Sequence, residues 1–227
     1  MLSTKRAVPL FAALFLILTT LPAYAATKAD DEQSIRNATA VLQAMLSSKE
    51  VPASVLAKAD CVLILPSVKK FAVGVGGSGG RGPMSCRSGD NFKGKWSPPA
   101  MYRIAGASAG LQIGGSSTDY VLLLMAPNAV EAVVKGKSKI GSDVTAAAGP
   151  SGATASTGSA DVLTYARSKG LFAGVSLDGS TLDPDSDANQ RLYDKPTNVH
   201  GIVRDNAVKP TSAGQSLMTE LDSKLSQ

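Results

Sequence analysis

AGLQIGG (Ala109–Gly115) and TDYVLLLMA (Thr118–Ala126) decide how this 227-residue chain folds. Apolar residues in alternating or continuous runs, bounded by Gly, Ser and Asp, mark β-strands. A third such run, SKGLFAGVSLDG, covers Ser168–Gly179. Between them, PNAVEAVVKG (Pro127–Gly136) has proline in its first turn and glycine past its last, which is the chemistry of a short helix. The block from Ala100 to Gly179 therefore predicts a β-rich body. Its apolar segments carry almost no His, Cys or clustered acid, so a binding role is expected rather than bond-breaking chemistry.

Toward the N-terminus, Ile35, Ala38, Leu42 and Met45 recur at helical spacing within Ala29–Leu46, behind an acidic first turn that suits the helix dipole. Such an amphipathic helix could lie on a membrane, but its polar face has few Lys or Arg, which favours packing on the sheet. A second short helix is expected over Pro52–Lys58. DCVLILP (Asp60–Pro66) reads as a buried strand ended by Pro66, and KKFAV (Lys69–Val73) starts another. The glycines from Gly74 to Gly79 formally satisfy GxGxxG. That motif needs a helix opening at its third glycine, and Gly80-Arg81-Gly82-Pro83 does not start a regular one. Kinks, bulges or close backbone contacts in strands are the better reading of these glycines.

Lys93, Lys95 and Trp96 support two readings, an interfacial patch or a cap on the core. The small-residue stretch Gly141–Ala160 fits packed β-structure better than a linker. Asp183, Asp185 and Asp187 alternate as in a calcium loop, but Ala188 stands where that loop needs glycine. A helix capped by Asp187, with Gln190 closing a capping box, is favoured instead. Leu217, Leu221 and Leu225 predict a final docked helix. The fold class is thus α+β: a β-rich antiparallel sheet or barrel-like body with an N-terminal amphipathic helix, a short mid-chain helix and C-terminal helices.

Residues 1–25 stand apart. Lys5 and Arg6 precede an apolar run from Val8 to Leu21 and a small-x-small site at Ala23-Tyr24-Ala25, which predicts a cleaved secretory signal and one mature domain over 26–227. The expected location is a bacterial periplasm or the exterior. Without that segment 21 Lys and Arg face 18 Asp and Glu, a mild balance with no long basic run, so no nucleic-acid partner is expected. In an oxidising compartment the two cysteines, Cys61 and Cys86, are expected to pair as a disulfide. His200, the single histidine, lies outside any nucleophile motif. No enzyme activity, metal or cofactor is expected.

The ordered series AKADCVLILP (Ala57–Pro66), GKWSPP (Gly94–Pro99), AGLQIGG, AAGP (Ala147–Pro150), YARSKGLFAGVSL (Tyr165–Leu177) and DANQRLY (Asp187–Tyr193) resembles the SYLF domain family across most of the mature chain. That family joins eukaryotic proteins that bind phosphoinositides, and actin in fungi, to exported bacterial proteins. The resemblance implies a lipid-binding β-rich body behind an amphipathic helix. Phospholipid headgroups at an envelope membrane are the expected ligand. Lys69, Lys70, Arg81, Lys93, Lys95 and Arg36 would supply charge, and Phe71 and Trp96 interfacial rings. The competing reading is an envelope module that meets a protein partner.

Overall fold

The structure, a computed structural model, describes residues 25–89, 92–149, 160–170 and 177–223. Two long antiparallel strands dominate it. β1 (Cys61–Cys86) pairs with β2 (Ala100–Leu124) from Cys61↔Leu124 to Met84↔Ala100. The C-terminal half of β2 also pairs with β5 (Val162–Gly170), and its N-terminal half with β6 (Thr181–Pro184). Among the described residues two short strands extend the sheet: β3 (Ser138–Lys139) on β6 and β4 (Ala146–Ala148) on β5. The β4–β5 pair is parallel, so the sheet is mixed rather than wholly antiparallel.

The β1–β2 ribbon does not run straight. An added Cβ on Gly80 would lie 2.8 Å from Val68 Cγ2, and one on Gly82 would lie 1.8 Å from the Ile64 carbonyl oxygen. The first and second halves of β1 therefore pack on each other, and Gly is required where backbone meets backbone. Register shifts at Leu65/Val68 and Val73/Val75 supply the bends. The glycine run is thus strand interior, as the close-contact reading expected. Pro66 does not end a strand. It sits in the first irregularity, where its missing N–H costs the ladder nothing, and Ser67 beside it has a positive φ of 52°.

Continuous apolar runs are needed because both faces of the sheet are covered. Inward, Cys61, Leu63 and Leu65 meet Tyr120, Leu122 and Leu124, together with α3 (Pro127–Lys135) and α5 (Val199–Val203). Outward, Val62, Ile64, Val121 and Leu123 meet α1 (Lys28–Ser47), α2 (Ala53–Leu56), α4 (Ser186–Tyr193) and α6 (Ser212–Ser223). Ile35, Ala38, Leu42 and Met45 of α1 are all fully buried there. The apolar stripe of the N-terminal helix packs on the sheet. Thr27 and Asp30 form the capping box that starts α1.

The start of α4 corrects one sequence expectation. Asp185, not Asp187, caps it by accepting from Ala188 N–H at 3.2 Å. The β6 ladder ends at Pro184, opposite Tyr102, so the helix opens two residues earlier than expected. Buried Asn189 then docks α4 on β2: its side-chain oxygen accepts from Met101 N–H at 2.7 Å and its amide donates to Met101 O at 3.2 Å. Residues 1–24 of the expected signal segment, 150–159 of the Gly141–Ala160 stretch, Asn91, Leu225 and the centre of SKGLFAGVSLDG lie outside the described residues.

Candidate functional surface at the ribbon bend

The bend of β1 carries Lys69, Lys70 and Phe71. Phe71 is 66% exposed, and its ring lies against Gly77 of the returning half. Strand alternation sets Lys69 and Phe71 on one side and Lys70 on the other. Lys69 is exposed and donates to Ser117 Oγ at 3.2 Å. Lys70 is half-buried, and that burial holds its ammonium below the ordinary lysine value. Beside Lys69, a groove of about 520 Å³ runs between α1 and the bend, lined among others by Asn37, Ser67, Arg81 and Asp119.

Arg81 has a structural partner. It pairs with Asp31, which is fully buried on α1, and Arg191 of α4 donates to the same carboxylate at 2.8 Å. One carboxylate thus ties β1, α1 and α4 together. Arg36 forms an i,i+4 pair with Glu32 on the outer face of α1. Along the sheet, Arg167 of β5 grips Glu50 through Nε and the guanidinium NH2 at 3.1 and 2.9 Å. Those bonds hold the Glu50 carboxyl below its usual range against the opposing cost of desolvation.

Lys93, Lys95 and Trp96 do not join this surface. They lie in the β1–β2 connection, whose first residue, Arg87, donates its backbone N–H to Asp60 O just before Cys61. About ten residues of strand, on the order of 30 Å, separate that end from the bend. Trp96 is 1% exposed and packs in the helix-side core, with the Arg87 guanidinium 5.9 Å from its ring centroid. The core-cap reading of Trp96 replaces the interfacial one, because the connection folds back over Cys86 through the Ser97 N–H···O=C Cys86 bond of 2.8 Å. His200 is exposed, with Nδ1 3.2 Å from Asp205 Oδ2 on the surface.

Two residues at the bend escaped the sequence reading. Ser117 stands opposite Lys69 on one edge of β2 and opposite Lys169 on the other. They lie 48 and 52 positions from Ser117 in the chain, so only strand register aligns them.

The geometry defines an α+β protein in which a folded-back β-ribbon, backed by an N-terminal and several C-terminal helices, presents an exposed aromatic residue and cations at its bend. Residues 105–224 match the family described as Ysc84, Las17-binding protein actin regulator. The chain belongs to this family, the SYLF family that its motifs resemble. Human SH3 domain-containing YSC84-like protein 1 is 39% identical over 181 residues, covering 77% of this chain and 52% of that protein. LAS seventeen-binding protein 3 of Saccharomyces cerevisiae is 34% identical over 182 residues, 77% of this chain and 39% of that protein. An SH3 domain-containing protein of Schizosaccharomyces pombe is 33% identical over 191 residues, 81% and 43% respectively. The chain spans about half or less of the length of these relatives.

Proposed function

We propose that this protein is exported and binds phospholipid headgroups at an envelope membrane through the bend of its β1–β2 ribbon, without catalysing a reaction. The observation that carries the reading is Phe71, the one large hydrophobic side chain exposed among the described residues, next to Lys69 and Lys70. An exposed aromatic flanked by lysines suits the membrane interface, where the ring is buried and the ammoniums reach phosphates. Each cation near an anionic surface contributes about 1 kcal/mol, so the binding is weak and salt-sensitive. The Cys61–Cys86 disulfide and the apolar N-terminal run support export. The burial of the α1 stripe argues for the bend rather than the helix as the contact.

Co-sedimentation with vesicles of phosphatidylglycerol in phosphatidylcholine tests this. The native protein is expected to pellet at low salt, and Phe71→Ser to stay in the supernatant with an unchanged melting temperature. Equal pelleting of both proteins would refute the bend as the contact. The family description and the name of the Saccharomyces cerevisiae relative carry a protein partner, Las17, and for this chain that supports the second reading, a protein-interaction module. Failure to bind any vesicle, with salt-resistant capture of an envelope protein, would favour it.

A further inference from the structure

At the β4 side of the sheet, β5 outruns its partner strand. β4 pairs Ala146, Ala147 and Ala148 with Val162, Leu163 and Thr164, and one further bond of 2.8 Å joins Gly149 N–H to Thr164 O, while β5 continues to Gly170. Beside this step lies a cavity of about 580 Å³, lined by residues 146–149 and 164–166. Both cores wall it: Met45 and Tyr165 belong to the helix-side core and Leu177 to the inner one. Glycine is required at 149, because an added Cβ would lie 2.2 Å from the Tyr165 ring. Burial pushes the Tyr165 phenol up to about 12, as surroundings of low polarity do.

Polar groups in the lining are few, and their charge has one sign. None of the described residues lining the cavity is a lysine or arginine, and its two carboxylates are Glu50 and Asp178. Arg167 and Ser48 Oγ already hold Glu50. The Thr164 hydroxyl is shielded from solvent and has no hydrogen-bond partner. A buried hydroxyl left in that state destabilises the fold unless something pairs with it.

We infer that this cavity binds an uncharged amphiphile, a molecule with an apolar chain and a single hydroxyl or carbonyl group. Its volume lies within the roughly 300–1,000 Å³ of small-molecule sites. Met45, Leu177 and the Tyr165 ring take the chain out of water. A phosphate or carboxylate would meet Glu50 and Asp178 with no lining cation to balance it, so the ligand is not an anion. Its polar group pairs with Thr164, whose hydroxyl one staggered step of χ1 turns toward the cavity. The lining includes none of Lys69, Lys70 and Phe71, so the site does not rest on the membrane reading.

The test titrates the folded protein with 1-octanol and, separately, with octanoate at pH 7, followed by the amide resonances of residues 146–149 and 164–166. Octanol is expected to shift these saturably, and octanoate to bind at least about tenfold more weakly. Thr164→Val, nearly equal in shape, is expected to weaken octanol binding roughly fivefold without lowering the melting temperature, since the hydroxyl it removes had no partner. Ala148→Leu fills the space from an exposed position on β4, where folding is not at stake, and is expected to weaken octanol binding more than about tenfold. Phe71→Ser is expected to bind octanol as the parent does, so a failed vesicle experiment leaves this site standing. No saturable shift with octanol, or an unchanged affinity in Ala148→Leu, would remove the site. Octanoate binding as tightly as octanol would overturn the uncharged ligand, and equal affinity of Thr164→Val and the parent would overturn the role of the hydroxyl.

Discussion

Cys61 and Cys86, the first and last residues of one strand, are bonded to each other with their α-carbons 4.0 Å apart. A 26-residue strand closes on itself only if it doubles back, and the bond locks β1 in that shape. Both sulfurs are fully buried in the inner core, so the bridge is part of the packing as well as a covalent tie.

Replacing both cysteines by alanine is expected to lower stability by about 3 kcal/mol, because the unfolded chain regains the entropy of a loop spanning 25 positions. Urea denaturation of the double variant beside the oxidised protein measures it. A loss under about 0.5 kcal/mol would mean that the two strand ends stay together without the bond.

Glycine substitutions separate close contact from mere composition. Gly82→Ala places a methyl group on the Ile64 and Leu65 backbone and is expected to cost more than about 3 kcal/mol or prevent folding. Gly79→Ala, whose new Cβ would meet nothing nearer than 3.9 Å, is expected to fold with stability within about 1 kcal/mol of the parent. Similar melting temperatures for the two variants would show that β1 is not folded upon itself as described.

Asp31→Asn leaves Arg81 and Arg191 without their shared carboxylate and is expected to cost about 3 kcal/mol. Adding Arg81→Met should recover part of that loss, since one of the two unpaired cations is then gone. The urea midpoints of the single and double variants decide it. Purely additive losses would mean that the pair is not coupled.

Acid should destabilise the fold. Hydrogen bonds from Arg167 to Glu50 and from Thr145 to Asp161 lower both folded-state values. Their contribution is complete above the unfolded carboxylate range, about 3.9 to 4.3, and disappears as pH falls through the lower folded values. Asp60 has the opposite sign, because burial raises its value. Its contribution is present below the ordinary Asp range and is lost as pH rises through the folded value. Urea midpoints from pH 3 to 7 should therefore fall toward acid, with a shallower fall in Glu50→Gln, while Asp60→Asn should be more stable at pH 7. A pH profile for Glu50→Gln that matches the parent would remove the Arg167–Glu50 pair as a cause.

Much of the architecture was legible locally. The helical spacing from Ile35 to Met45, the Pro127 start of α3 and the apolar runs of β1 and β2 each reflect forces acting within a few residues. Lys69, Lys70 and Phe71 were legible as a basic and aromatic cluster for the same reason. For Trp96 the sequence left two readings open, a cap on the core and an interfacial ring, because NFKGKW has the composition of a surface turn and only the return of the connection over Cys86 buries it. Asp185 as the α4 cap was hidden because strand pairing with β2, not local sequence, fixes where β6 stops.

By itself the sequence determined the apolar face of α1, the start of α3 and the apolar runs of β1 and β2, that glycines replace side chains along the second half of β1, and which two cysteines are available to pair. Only the tertiary structure decided that β1 folds back on itself, that the α1 stripe is buried on the sheet, and that Lys169 aligns with Ser117 and Lys69. Periodicity and propensity are set by neighbours a few residues away. Register, burial and the meeting of distant charges depend on contacts between residues dozens of positions apart, whose geometry exists only once the ribbon has bent.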